Sequence, residues 1–165
     1  MKNLKYLSLT TALVSGLLMG LTACGSDDEE SKDMEKPVIT TDGIVACPLD
    51  CDVFRRGDVI PFNYAFTDNV ELARYTIHIH NNFDHHEHPG LAEMHCEMEP
   101  QKDPVNPWTV EETVYTIPAG NTRYTARLDI PIPTDIDPGD YHLSIRVFDA
   151  KGWSNSWPVS FKIAE

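Results

Sequence analysis

Apolar side chains recur at every second position through most of the chain beyond residue 36, and each such run is closed by proline or glycine. A strand sends successive side chains to opposite faces, so this period signals strands buried on one face. Ile60, Phe62, Tyr64 and Phe66 form one row within Val59 to Asp68, and Tyr75, Ile77 and Ile79 form another within Leu72 to His80. Tyr124, Ala126, Leu128 and Ile130 follow in Arg123 to Ile130. Tyr141, Leu143, Ile145 and Val147 alternate in Tyr141 to Asp149, and Trp157, Val159, Phe161 and Ile163 are expected to be core in Ser156 to Ile163. Lys36 to Val45 and Trp108 to Ile117 complete seven predicted strands, and no window carries a helical repeat. The roughly 130 residues from 36 to 165 are enough for one domain with a single core. The expected class is therefore all-β, an antiparallel sandwich of about seven strands in two sheets.

The segment Gly139-Asp-Tyr141-His-Leu-Ser-Ile-Arg-Val-Phe-Asp149-Ala-Lys-Gly152 resembles the penultimate strand of an immunoglobulin-like domain, with Tyr141 placed like a tyrosine corner. That resemblance implies that the third and sixth predicted strands are antiparallel neighbours. The end of Leu72 to His80 then sits beside the start of Tyr141 to Asp149, and His142 shares an exposed face with His78 and His80.

Lys2 and Lys5 precede an apolar run from Tyr6 to Leu21, which ends in Leu21-Thr22-Ala23-Cys24. Small residues before a cysteine mark residues 1–23 as a lipoprotein signal peptide, with Cys24 as the lipidated mature terminus. The run is interrupted by Ser8, Thr10, Thr11, Ser15 and Gly16, and falls short of the ~20 strongly apolar residues of a membrane span. Residues 24–35 form an acidic stretch with no aromatic or β-branched side chain, expected to be a disordered tether before a domain spanning 36–165. Asp27 to Glu30 resemble the surface-export signal of Bacteroidota lipoproteins, which implies display on the outer face of the outer membrane. Removing residues 1–23 leaves 11 of 13 basic residues against 26 acidic ones, moving the net charge from −13 to about −15. Such a field repels phosphate backbones and concentrates cations, so nucleic acid is excluded as a partner.

Six of the seven histidines fall between His78 and His95, in His78-Ile-His80-Asn-Asn-Phe-Asp84-His85-His86-Glu87-His88 and then His95. Imidazole is the commonest ligand for borderline divalent metals, and this crowding points to a metal site. His78 and His80 are about 6.6 Å apart along one strand face at ~3.3 Å per residue, so they form one chelating pair. His86 and His88 supply a second from the following loop, with Asp84 and Glu87 placed to accept ring N–H groups. His142 joins them across the sheet, and His85 is held in reserve. Nitrogen ligation suits zinc, with copper as the second choice given the soft sulfur in Met94-His95-Cys96-Glu97-Met98.

Cys47, Cys51 and Cys96 can form one disulfide in an oxidising compartment, and three pairings are open. Through Ile77-His-Ile-His80-Asn-Asn-Phe83-Asp84-His-His86-Glu-His88, the mature region resembles a domain-of-unknown-function family of Bacteroidota lipoproteins with an immunoglobulin-like fold. In that family's pattern the recurring histidines correspond to His78, His80, His86 and His88, whereas His85 takes a position usually held by another residue; residues 91–107 depart from the pattern. The resulting expectation is a surface lipoprotein, anchored through Cys24, that captures, buffers or hands over zinc or copper beside an outer-membrane transporter. The competing classes are an adhesion or glycan-binding module, using Trp108, Trp153 and Trp157, and a metal-dependent hydrolase with an open coordination position beside Glu87 or Asp84. Neither a catalytic residue nor an organic cofactor is assigned.

Overall fold

A computed structural model describes residues 33–86 and 96–165. The signal peptide, Cys24, the export-signal acids, Glu87, His88 and His95 lie outside the described residues. Eight strands occur among the described residues: β1 (Val38–Thr40), β2 (Val53–Arg55), β3 (Val59–Thr67), β4 (Leu72–Asn81), β5 (Val110–Thr116), β6 (Arg123–Pro131), β7 (Gly139–Asp149) and β8 (Ser154–Ala164). They form two sheets, β1-β3-β6 and β2-β8-β7-β4-β5. The chain is all-β, a sandwich as expected. Asp33 to Glu35, counted above with the tether, are described, and the Asp33 side chain is buried.

Alternation fixes which faces meet. Ile60, Phe62, Tyr64 and Phe66 of β3 are fully buried, and they face Tyr75, Ile77, Ile79, Tyr141, Leu143, Ile145 and Val147 from the larger sheet. The Tyr75 ring stacks on Tyr115 at 4.9 Å and lies 5.1 Å from Phe66, which joins the two layers through aromatic contact. Burial pushes the Tyr64 and Tyr75 phenols well above the ordinary tyrosine range.

Three expectations are corrected. The seven strands become eight, because Val53–Arg55 pairs in parallel with Lys162–Ala164 of β8, and three residues are too few to display a period. The first strand contracts to Val38–Thr40; beyond it the chain turns through Gly43 at φ +73° and touches β3 again at the Cys47–Asn63 bridge. Trp157 is not core, being 38% exposed although it alternates with Val159, Phe161 and Ile163. Its place is opposite Ile145, toward the end of β8 away from β2, beside the exposed Asn155 and Ser156, where burial along the strand has not yet set in.

The bend into β7 is held by Tyr141, whose hydroxyl donates to the Asp137 carbonyl at 2.6 Å and accepts from the Trp108 amide at 3.3 Å. Tyr141→Phe leaves both backbone groups without this partner in a dry site, and we expect it to cost about 1–3 kcal/mol, read as a shift of the urea midpoint at constant slope. An unchanged midpoint would show that the hydroxyl does not hold the corner.

Candidate metal centre

β4 and β7 are antiparallel, and their register places His80 directly opposite His142. Side chains so paired have Cβ atoms about 4.5–5.5 Å apart, so two imidazoles meet on the outer face of the sheet without any loop. The expected exposed face is corrected here: His142 is 3% exposed, and the chain after β4 folds back over it.

That fold-back starts from a short turn. The Asn82 amide donates to the Asp140 carbonyl at 2.8 Å, the His85 amide donates to the Asn82 carbonyl at 3.2 Å, and His85 adopts φ +58°. Histidine enters the left-handed region more readily than most side chains. Phe83 anchors the turn by packing edge-on against Tyr141 at 5.4 Å and beneath the Lys102 ammonium at 4.6 Å. Gly139, at φ +132°, leaves room for it, since a Cβ there would stand 2.9 Å from the Phe83 ring. His86 thereby returns over the strand.

His80 and His86 rings stack at 5.1 Å, and both stand nearly perpendicular to His142, at 5.7 and 5.3 Å. One ring nitrogen from each of the three lies within 4.8 Å of the others. The His86 Nδ1 is 2.6 Å from Asp84 Oδ1, and the same hydrogen bond holds the Asp84 carboxyl below the usual carboxylate range. An ionised carboxylate can only accept, so Nδ1 of neutral His86 carries the proton and its Nε2 carries the lone pair. That Nε2 faces His80 Nε2 at 3.0 Å, close to the roughly 3.3 Å separating two nitrogens bound tetrahedrally at ~2.0–2.1 Å to one zinc. With the His86 Nε2 carrying a lone pair, His80 Nε2 donates across this contact; to offer its own Nε2 lone pair to an ion, neutral His80 would carry its one ring proton on Nδ1 instead.

His78 lies beside the trio, stacked on His80 at 4.8 Å, and outside the set of converging nitrogens. His85 is drawn elsewhere, its Nε2 donating to the Glu99 carbonyl at 2.9 Å and lying 4.0 Å from Asp140. Cys96 is joined to Cys51 in a disulfide, which settles the open pairing, leaves Cys47 as the free thiol and takes the Cys96 sulfur out of consideration as a thiolate ligand. The periodic pattern of the sequence could not reveal the strap that this bridge begins. From Cys96 the chain crosses the sheet through Glu99, whose amide donates to Asp140 and whose carboxylate pairs with Lys162, to Lys102, whose amide donates to the Phe83 carbonyl.

The comparisons with known proteins bear on the whole assembly, since one family model spans residues 22–164. The chain belongs to the DUF4625 family, a domain of unknown function. No curated protein matches it. The DUF4625 region includes both sheets and the histidine trio, and the family carries no assigned activity.

Proposed function

We propose that this DUF4625 domain binds a transition metal ion, zinc in first place and copper(II) in second, through His80, His86 and His142. The observation that carries the reading is the meeting of three imidazole nitrogens, with Asp84 fixing the tautomer of one of them. Three histidine nitrogens suit zinc, and carboxylate–histidine pairing is its usual support. Bridging of the Cys96 sulfur weakens the argument for copper. His78 stands as the adjacent donor, and His88 belongs to the same proposal on sequence grounds. Strand order and the Tyr141 corner support an immunoglobulin-like relationship. Together with the signal and acidic segment of the sequence, this describes a lipoprotein anchored at Cys24 on the outer face of the outer membrane, capturing or buffering the ion and handing it to a transporter. The role proposed is binding rather than catalysis, because among the described residues the carboxylate hydrogen-bonded to the trio, Asp84, is engaged in orienting His86. The glycan-binding alternative loses Trp108, which is buried, and keeps Trp153 and Trp157 as half-exposed rings.

Metal analysis and calorimetric titration of the full-length protein, purified without a histidine tag, test the proposal. One zinc per chain is expected. Asp84→Asn, at an exposed position, should leave folding intact and weaken zinc about 10–100-fold, the usual cost of losing such a partner. Absence of stoichiometric uptake of either metal by the wild type would overturn the reading.

A further inference from the structure

A second constellation lies at the far end of the same two strands. β4 and β7 pair His80 with His142 at one end and Leu72 with Asp149 at the other, about 26 Å away at ~3.3 Å per residue. Asp149, at the end of β7, meets Asp68, which follows β3, and Asp33 at the start of the described chain. One carboxylate oxygen from each lies within 4.8 Å of the others.

The three side chains are held in one manner. Asp33 Oδ1 accepts from the Glu35 amide at 3.1 Å; Asp68 Oδ1 accepts from Val70 and Glu71 at 2.9 and 2.7 Å; Asp149 Oδ1 accepts from Lys151 and Trp153 at 2.8 and 2.9 Å. In each the Oδ2 is buried and accepts no hydrogen bond from the described residues, and Asp33 and Asp149 are 6% and 2% exposed. Buried carboxylate oxygens that accept no hydrogen bond from the described residues are costly to leave without a partner, and a cation held among the three supplies one.

We propose that Asp33, Asp68 and Asp149 form a calcium site that fastens the segment beginning at Asp33 to the sandwich. The donors are all hard oxygens, which selects calcium or magnesium over the metals that imidazole prefers. Magnesium demands near-ideal octahedral geometry and retains most of its water, whereas calcium accepts irregular cages of protein carboxylates. Two oxygens on one calcium can lie up to about 4.8 Å apart, twice a ~2.4 Å bond, so three carboxylate oxygens within 4.8 Å of one another can share one ion. Backbone carbonyls and water complete the shell. The proposal is independent of the histidine site, since neither shares a residue with the other.

Terbium, a luminescent substitute for calcium, gives a direct test on the full-length protein. The Trp153 indole N–H donates to the Asp33 carbonyl at 3.1 Å, so this ring stands beside the site and can sensitise the ion. Tryptophan-excited terbium emission should saturate at one ion per chain and be displaced by millimolar calcium but not by one equivalent of zinc. It should fall sharply in Trp153→Phe and vanish in Asp68→Asn with Asp149→Asn, where the amide oxygens still accept the backbone hydrogen bonds. Calcium at 10 to 100 times its Kd should raise the wild-type Tm by about 3–10 °C and leave that of the double variant unmoved. In chelator the double variant should be at least as stable as wild type, because two repelling charges are gone. If the double variant does not fold, Asp33→Asn, at the edge of the domain, carries the same comparison. Terbium binding unchanged by these substitutions, or a wild-type Tm indifferent to calcium, would overturn the site.

Discussion

Replacing His80 and His142 together by alanine should abolish the proposed zinc binding of the full-length protein, with a loss of affinity beyond the ~10–100-fold expected for Asp84→Asn. The two residues occupy one rung of the β4–β7 ladder, so the sheet holds them in place before the ion arrives and little entropy is lost on binding. His86 is delivered by a turn, and its single substitution should be milder. His78→Ala should be milder still, because His78 stacks beside the trio rather than pointing a nitrogen into it. Titration calorimetry with zinc and with copper(II) reads all four proteins. Unfolding must be followed in parallel, since His142 is buried and its truncation leaves a cavity. A double variant that folds and still binds either ion like wild type would remove the centre. Binding should also fade in mild acid. Ligand imidazoles must be neutral and ordinarily protonate near pH ~6.5, whereas Asp84, held below the usual carboxylate range by His86, stays ionised as the pH falls toward 5. The sign is therefore that of imidazole: affinity is present above the transition and lost below it.

The parts of this fold that repeat were legible, and the parts that depend on one event were not. Alternation in β3, β4 and β7 named their buried faces residue by residue, because a half-buried strand imposes its period on composition. The same rule misplaced Trp157, since period two gives the face of a strand and not where along it burial sets in. The meeting of His80 with His142 followed from sheet topology. The return of His86 depends on His85 in the left-handed region and on Phe83 seated against Gly139, neither of which leaves a periodic trace. Asp33, Asp68 and Asp149 are dispersed across the whole domain, and each taken alone reads as an ordinary turn residue.

The disulfide is where stability and the histidine site meet. Cys51 and Cys96 are separated by 45 positions, and closing a loop of that size stabilises the folded chain by about 4 kcal/mol on the chain-entropy account. Cys51 is fixed to the outer sheet, its amide donating to the Ser160 carbonyl at 2.9 Å while the Asp52 carbonyl accepts from the Lys162 amide at 2.8 Å. The bridge thus ties to β8 the strap that continues through Glu99 and Lys102 to Phe83, the anchor of the turn that delivers His86. Cys51→Ser with Cys96→Ser should lower the Tm by about 10 °C. It should also weaken zinc, by less than the loss of His80 and His142, since the β4–β7 rung survives without the strap. Burial, reinforced by Asp52, pushes the Cys47 thiol up, which keeps it protonated and slow to exchange. Cys47→Ser should therefore leave both the Tm and zinc affinity unchanged, and reduction of the wild type should reproduce the double variant. If the reduced protein melts lower but binds zinc with full affinity, the turn through His85 positions His86 by itself and the strap serves stability alone.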